Sequence, residues 1–136
     1  MITILLICTL CVSIFFATYK FLPDNLVINN GKIINKEIYA TETGCVTSGP
    51  NINLTPGIWT AEIYYEVSDD GNYLDASYYD KNGEEKQYKV WELRREKACR
   101  KIKLNIEAGS SNWEIRTFYG GVGEMKIKQI LIKKYE

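Results

Sequence analysis

The chain is 136 residues long, carries 17 basic and 17 acidic side chains, and contains no histidine. Because the net charge is zero, no overall positive field is available to attract a phosphate backbone, and nucleic acid is not an expected partner. The absence of histidine removes the commonest general base and every Ser-His or Cys-His nucleophile arrangement, so we expect a protein that is not an enzyme.

Residues 1–19 form an apolar run without a charged side chain, followed at once by Lys20. As a helix rising ~1.5 Å per residue, this run would reach roughly 27–30 Å, about the thickness of a bilayer's hydrocarbon core. A cleaved signal peptide is the alternative, but such a peptide usually starts with basic residues and has a shorter apolar core. We therefore predict one transmembrane helix within residues 1–20, followed by a separate domain over residues 24–136.

Two signals disagree about the side of the membrane on which this domain lies. Lys20 is the only basic residue beside the apolar run, and the positive-inside rule would leave the domain in the cytoplasm. Cys45 and Cys99 indicate the other side, because a disulfide between them would stabilise the domain by roughly 4 kcal/mol and requires an oxidising compartment. Two unrelated buried thiols are the alternative. We expect the disulfide, and a single-pass membrane protein with an extracytoplasmic domain at the cell surface.

Beyond residue 23 the chain reads as short strands separated by turn residues, the pattern of an all-β sandwich or barrel. In residues 58–67 the apolar side chains Trp59, Ala61 and Ile63 alternate with polar ones, which gives the strand a buried and a solvated face. The same alternation recurs in residues 99–108 and 113–119. Further strands are expected over residues 26–28, 32–39, 45–54, 73–79 and 87–94, for a total of about eight to ten.

Two local features specify the pairing of these strands. In the last strand Met125 and Ile127 share one face, whereas Ile130 and Ile132 fall on the opposite phase. One extra residue near Lys128 and Gln129 would bring all four to the same side, so a β-bulge is predicted there. Among the turns, Asn82 followed by Gly83 is the strongest hairpin signal.

The charges are unevenly distributed along the sequence. Acidic residues dominate residues 24–80 and basic residues dominate residues 81–134, with dense basic runs at residues 94–95 and 100–103. Because strands from the two halves interleave in a sheet protein, we interpret these runs as solvated strand faces.

Residues 48–63 read SGPNINLTPGIWTAEI and resemble a stretch found in jelly-roll, galactose-binding-like modules. Residues 113–132 are similar to the final strands of such modules in bacterial surface and polysaccharide-assembly proteins. The resemblance spans about residues 38–133, and its motifs are turns and strands. It implies an antiparallel jelly-roll β-sandwich of two sheets, often a carbohydrate-binding or glycan-associated accessory module.

A sugar-binding face combines aromatic rings with side chains that bond hydroxyl groups. The outward positions supply such a set: Tyr73, Asp75, Ser77 and Tyr79 on one strand, Glu62, Tyr64 and Glu66 on another, and Arg116 on a third. These residues would form one surface if their strands are neighbours. Exposed tyrosines also favour β structure and cross-strand pairing without any ligand. By strand parity, we assign Trp59, Trp91 and Trp113 to the core.

Cofactors and catalysis have little support in the sequence. No cofactor is expected, although Asp69, Asp70 and Glu124 are weak candidates for a structural Ca²⁺ site, and residues 69–72 also read as a plain turn. Pairs of carboxylates such as Glu62 and Glu66 resemble the acid and base of glycosidases, but nothing predicts a deep cleft around them.

The resulting hypothesis is a membrane-anchored, extracytoplasmic β-sandwich that binds glycan, or assists surface-polysaccharide assembly, without chemistry of its own. The alternative is a structural or protein-interaction module that docks a partner membrane protein through the same sheet or through an exposed edge strand.

Overall fold

The computed structural model describes residues 18–134. Within this range the chain forms eleven strands and one short 3-10 helix, Pro23–Asn25. The strands are β1 (Thr18–Phe21), β2 (Val27–Ile28), β3 (Gly31–Ile34), β4 (Glu37–Ala40), β5 (Gly44–Ser48), β6 (Gly57–Val67), β7 (Asn72–Tyr79), β8 (Glu85–Leu93), β9 (Cys99–Ile106), β10 (Ser111–Tyr119) and β11 (Met125–Lys134).

The strands form two antiparallel sheets, which confirms the all-β sandwich prediction. Sheet A has the order β3-β4-β11-β6-β9, with β1 also paired to β11. Sheet B has the order β2-β5-β10-β7-β8. Each sheet therefore ends in a long edge strand, β9 in sheet A and β8 in sheet B, and the two are connected by residues 94–98.

The core lies between the sheets and is built from the faces that the alternating pattern predicted. Trp59, Ala61 and Ile63 of β6 are buried, and Trp113 and Ile115 of β10 are buried in the facing sheet. The inward side chains of β9 that join this core are Ile102, Leu104 and Ile106. Trp91 differs from the other two tryptophans because it is partly buried against the edge of the core.

The predicted bulge in the last strand is confirmed. The pairing of β11 with β6 shifts register between Ile127 and Gln129, so that Ile127 faces Tyr65 and Gln129 faces Tyr64. Because of this extra residue, the apolar side chains on both sides of the bulge are buried, namely Met125, Ile127, Ile130 and Ile132.

The hairpin predicted at Asn82 and Gly83 joins β7 to β8. Gly83 has φ 77°, a left-handed conformation that costs glycine little. Asp80 fixes the turn, since its Oδ1 accepts hydrogen bonds from the backbone N–H groups of Asn82 and Glu84, both at 2.9 Å. These hydrogen bonds lower the pKa of the Asp80 carboxyl, and the bond from Glu84 has the largest effect.

One predicted strand is in fact two. Residues 32–39 fold as the hairpin β3–β4, which turns at Asn35 and Lys36. Both turn residues have positive φ, 50° and 64°. That conformation is unusual for lysine. The sequence has the Asn of the usual Asn-Gly turn signal but has Lys in place of the Gly, so it did not predict this turn.

The N-terminal end of the sandwich also differs from the expected domain boundary. Thr18–Phe21 forms β1 and pairs with β11, so residues 18–20 belong to a strand and not to a transmembrane helix. The remainder of the predicted anchor, residues 1–17, lies outside the described residues. Among residues 18–134, no helix has the length and hydropathy needed to cross a membrane.

The predicted disulfide is wrong, because Cys45 and Cys99 are both free thiols. Cys45 lies on β5 of sheet B, and Cys99 begins β9 of sheet A. Cys45 pairs with Phe118, whose ring lies on the outer face of sheet B, and Cys99 pairs with Tyr64 on the outer face of sheet A. Because the core lies between them, the two side chains point apart and cannot be bridged. Burial raises the pKa of both thiols above the usual cysteine value.

We expect that alkylation of the denatured, unreduced full-length protein modifies both Cys45 and Cys99. Peptide mapping by mass spectrometry should find both labelled peptides in the same yield as in a sample reduced beforehand, because the two thiols lie on the outer faces of opposite sheets. Recovery of a linked peptide containing both residues would show that the sheets are arranged differently.

Candidate functional site

A pocket of about 280 Å³ opens at one end of the sandwich, between the edge strands β8 and β9. It lies where the β7–β8 turn approaches the β9–β10 loop; a Cβ added at Gly109 would lie 3.1 Å from the Cβ of Lys81. The residues that form it, here called the aromatic pocket, are Tyr78, Asp80, Lys81, Asn82, Tyr88, Asn105, Glu107, Ala108, Ser110 and Trp113.

Three aromatic rings form the apolar part of this pocket. Tyr78 stacks on Trp113 with ring centroids 4.4 Å apart, and Tyr88 meets Trp113 edge-on at 5.5 Å. Trp113 is buried, whereas Tyr78 and Tyr88 are partly exposed. The two tyrosines therefore present ring surface to a ligand, which is the contact that the C–H face of a sugar makes.

Hydrogen bonds hold two of these rings, Trp113 and Tyr88, in place before any ligand arrives. The Trp113 indole N–H donates to Ser110 Oγ at 3.0 Å. Tyr88 Oη accepts a hydrogen bond from the backbone N–H of Asn105 at 3.1 Å, which links the edge of sheet B to the edge of sheet A. A pocket whose rings are already fixed loses little conformational entropy when it binds.

Polar side chains converge on the same pocket. Among residues 18–134, the side-chain amides of Asn82 and Asn105 and the carboxylate of Glu107 form no hydrogen bond within the protein. These groups combine two amides, which donate and accept, with one carboxylate, which accepts. They are therefore free to bond the hydroxyl groups of a ligand held against the rings.

Five of the residues predicted from the sequence lie together on the outer side of sheet B. They are Tyr73, Asp75, Ser77 and Tyr79 of β7 and Arg116 of β10. The Arg116 Nε–H donates to Asp75 Oδ1 at 2.8 Å, and a second guanidinium N–H donates to Asp75 Oδ2. Asp75 is buried and also accepts a hydrogen bond from Gln87 Nε2 at 2.9 Å.

This outer face of sheet B is largely satisfied by its own contacts. The ring of Tyr73 stacks on Phe118 of the neighbouring strand, with centroids 4.7 Å apart. Asp75 and Arg116 bond mainly to one another, and Ser77 is buried. Such pairing is what exposed aromatic residues do in a sheet without a ligand.

The other three predicted residues lie in a different sheet. Glu62, Tyr64 and Glu66 belong to β6 of sheet A, so they do not form one surface with the residues on β7 and β10. Strand parity assigned each residue to a face, but it does not say which sheet a strand joins. The single binding surface predicted for all eight residues is therefore divided between two sheets.

Glu62 and Tyr64 interact closely within sheet A. The Tyr64 hydroxyl donates to Glu62 Oε1 at 2.7 Å, and Lys133 Nζ lies 3.2 Å from Glu62 Oε2. The hydrogen bond from Tyr64 lowers the pKa of Glu62, and the same bond raises the pKa of Tyr64 to about 12. Glu66 lies farther along the strand near Lys128, with Oε2 3.7 Å from Nζ.

Of the weak calcium candidates, Asp69 has its carboxylate bonded within its own loop. Asp69 Oδ2 accepts a hydrogen bond from Ser68 Oγ at 3.0 Å, and Ser68 Oγ accepts one from the backbone N–H of Glu124 at 2.7 Å. Gly123, at φ 72°, packs so tightly here that an added Cβ would overlap Asp69. In residues 18–134, no group of three acidic or thiol side chains is placed to hold a metal ion.

The residues of the aromatic pocket were not singled out from the sequence. Tyr78 shares the inward parity of Leu74 and Ala76, and Trp113 was assigned to the core, where it is indeed buried. The available signal was the Asn82–Gly83 hairpin, which necessarily brings the end of β7 close to β8. No local sequence pattern predicts that β9 approaches this hairpin across the sandwich.

No protein-family model and no curated protein sequence matches this chain. Solved structures match it in fold. The C-terminal CBM6 of LamC, a marine laminarinase from Zobellia galactanivorans, is 18% identical with a TM-score of 0.62, over 87% of this chain and 100% of that one. The carbohydrate-binding module CBM6cm-2 of Cellvibrio mixtus lichenase 5A, solved with cellotriose, is 13% identical with a TM-score of 0.52, over 87% and 98% of the chains.

A third match is the xylanase 10B structure from Clostridium thermocellum, which contains CBM22-1 and GH10 modules with xylohexaose. It is 13% identical with a TM-score of 0.56, and the match covers 88% of this chain but 25% of that one. The chain therefore has the β-sandwich fold of carbohydrate-binding modules, as the sequence resemblance predicted. Fold alone does not specify the ligand.

Replacement of Arg116 by glutamine should lower the free energy of unfolding by about 3 kcal/mol, because it leaves the buried Asp75 carboxylate without its cationic partner. Chemical denaturation of the full chain measures this loss. The double variant Asp75→Asn, Arg116→Gln should lose less than the sum of the two single variants. Additive losses would show that the two groups do not stabilise one another.

Tyr64 should ionise near pH 12, because its hydroxyl donates to the Glu62 carboxylate and would lose that bond on ionisation. Since the folded pKa is raised, the contribution of this bond to stability is complete below the ordinary tyrosine pKa and is lost as pH rises through about 12. A pH titration of ¹³C-labelled tyrosine by NMR measures the value.

The matched control is Glu62→Gln, in which the pKa of Tyr64 should return toward that of a free tyrosine. An unchanged value in that variant would show that the carboxylate is not the cause of the shift.

Proposed function

We propose that this domain binds a polysaccharide, without altering it chemically, in the aromatic pocket. The observation that carries the proposal is the convergence of two partly exposed tyrosine rings with the unbonded side chains of Asn82, Asn105 and Glu107 in one cavity. Sugars require both kinds of contact, since their rings have apolar C–H faces and hydroxyl edges.

Binding would proceed by stacking and hydroxyl recognition. A sugar ring lies against Tyr78 or Tyr88, and the amides and the carboxylate bond the hydroxyl groups at its edge. Water leaves the aromatic surface on binding, which supplies the favourable free energy, while the hydrogen bonds select the orientation of the sugar. The cavity of about 280 Å³ is at the lower limit of small-molecule sites, so it suits one or two sugar units of a longer chain.

The outer face of sheet B is a weaker candidate for the same role. Tyr73 and Tyr79 are exposed, but the ionic groups between them, Asp75 and Arg116, bond to each other. A ligand would have to compete with that pair for hydrogen bonds. The aromatic pocket offers unbonded polar groups instead, and we therefore place the ligand there.

We also propose that residues 1–17 tether the domain to a membrane and that it assists polysaccharide assembly at the cell surface. The uncharged apolar run supports the tether. Because Cys45 and Cys99 are free thiols, a disulfide between them no longer supports a location outside the membrane. The support for that location is now the proposed ligand, because surface polysaccharides lie outside the cell.

Tyr88→Ala should weaken polysaccharide binding by about tenfold, through loss of a ring that stacks on the sugar and of the water-excluding surface around it. The assay is affinity electrophoresis of the full chain in detergent through gels containing a panel of polysaccharides. Tyr73→Ala, which removes an exposed tyrosine from the outer face of the same sheet, is the matched control and should change migration little.

The two variants also separate the alternatives. Loss of binding in Tyr73→Ala but not in Tyr88→Ala would move the site to the outer face of sheet B. Free migration of the folded wild-type chain on every gel would refute glycan binding and favour the protein-interaction hypothesis.

A further inference from the structure

A second cavity, of about 360 Å³, lies at the opposite end of the edge strands from the aromatic pocket. It is lined by the β8–β9 connection and the start of β9. Four of its residues are cationic, and we call it the cationic pocket after Arg94, Lys97, Arg100 and Lys101. Tyr65 and Cys99 complete the lining, so among residues 18–134 no carboxylate lines this cavity.

Arg100 is the unusual member of this group because of the direction in which it points. It pairs with Ile63 across the sheet and has the same parity as Ile102 and Leu104, which are buried in the core. Its guanidinium is thus directed inward at the edge of the sandwich, unlike the solvated strand face that the basic runs predicted. Its Nε atom is buried and has no hydrogen-bond partner within residues 18–134.

A buried N–H of a charged group without an acceptor is costly, and native structures usually supply one. Within the described part of the chain, none of the four cationic side chains forms an ion pair. Glu62 faces Lys101 across the strand pair, but its carboxylate bonds to Tyr64 and Lys133. The positive charge of the cavity is therefore not neutralised by a bonded partner.

The loop that carries two of these cations is held rigidly by Tyr65. The Tyr65 hydroxyl donates to the carbonyl oxygen of Arg94 at 2.8 Å, and the Tyr65 backbone N–H donates to the carbonyl oxygen of Ala98 at 3.1 Å. Lys97 N–H also bonds Arg94 O within the loop. Both ends of the connection are thus fixed to β6, and the cavity is formed before any ligand binds.

We propose that the cationic pocket binds an oxyanion group of an acidic polysaccharide, either a sulfate ester or a uronate carboxylate. The inference rests on the proposed function and specifies its ligand class. An oxyanion would accept the hydrogen bond that Arg100 Nε–H lacks and would neutralise the surrounding cations, which is the charge-assisted geometry that guanidinium groups favour.

The positions of the two pockets suit a single polymer. Arg100 and Asn105 are five residues apart on β9, so the cationic and aromatic pockets lie roughly 17 Å apart along the edge at ~3.3 Å per residue. Trp91 of β8 lies on the same open side and is partly exposed. A glycan chain following the β8–β9 edge would place one sugar on the tyrosines and an acidic group beside Arg100.

An inward-pointing charge can also protect an exposed edge strand from pairing with another sheet. One charged residue would be enough to protect the edge strand in this way, and no cavity would be needed. Here Arg94 and Lys97 come from a different segment and line the same space, which is the arrangement expected of an anion site.

The experiment compares binding of the full chain, in detergent micelles, to dextran sulfate and to unmodified dextran at equal ionic strength. Polygalacturonate and its methyl ester form a second pair, which distinguishes carboxylate from sulfate recognition. Microscale thermophoresis gives the dissociation constants. We expect one or both acidic polymers to bind more tightly than their neutral counterparts.

Arg100→Gln and Lys97→Gln should each weaken that binding by about tenfold, as loss of a charge-assisted contact implies. Lys103→Gln is the matched control, since it removes one charge from an outward position of β9 that does not line the cavity, and it should have less than a twofold effect. Lys97 is exposed on the loop, so its variant reports on binding even if Arg100→Gln lowers stability.

Equal weakening by Lys103→Gln and Arg100→Gln would overturn the proposal, because it would show attraction to the whole basic surface. Absence of any preference for the acidic polymers would also overturn it. In that case, if the protein binds a neutral polysaccharide and Tyr88→Ala abolishes that binding, the proposal for the aromatic pocket would still be supported. Binding that depends on Arg100 but not on Tyr88 would support the cationic pocket and refute the aromatic one.

Discussion

Strand β11 is the element on which sheet A depends. It pairs with β6 along one side and with both β1 and β4 along the other. A strand in this position must bury apolar side chains along its whole length. In β11, however, the alternation of apolar and polar residues changes phase halfway along the strand. The bulge between Ile127 and Gln129 resolves that conflict and keeps Met125 and Ile132 on the same side. Without it, one half of the strand would expose its apolar residues to water.

With β11 at the centre of sheet A, β9 becomes the edge that lies near β8, the edge of sheet B. The sandwich is open along this side, and both pockets are found there. Tyr88 and Asn105 join the two edges near the aromatic pocket, and residues 94–98 join them beside the cationic pocket. The proposed binding groups therefore lie where the core ends, because there the polar groups and rings of two sheets meet without being enclosed.

Much of the fold could be predicted from local pattern. Alternation in β6 identified its buried face, the phase change in β11 located the bulge, and Asn82–Gly83 located a hairpin, because each of these is a property of neighbouring residues. Asn35–Lys36 failed as a turn signal, since lysine rarely adopts positive φ. Sheet membership and the pairing of Cys45 with Cys99 failed for another reason: they depend on distant strands. For the same reason the sequence did not predict the aromatic pocket, whose residues come from four strands and two loops.

The measurement that tests the central claim most directly is NMR observation of the tryptophan indole N–H groups during addition of an oligosaccharide to the ¹⁵N-labelled full chain. The Trp113 indole N–H bonds Ser110 at the aromatic pocket, whereas that of Trp59 bonds Thr55 O away from it. Glycan binding in the pocket predicts a saturable shift of the Trp113 signal with the Trp59 signal unmoved. Saturable shifts confined to β7 and β10 residues around Tyr73 and Arg116, with Trp113 unchanged, would contradict it.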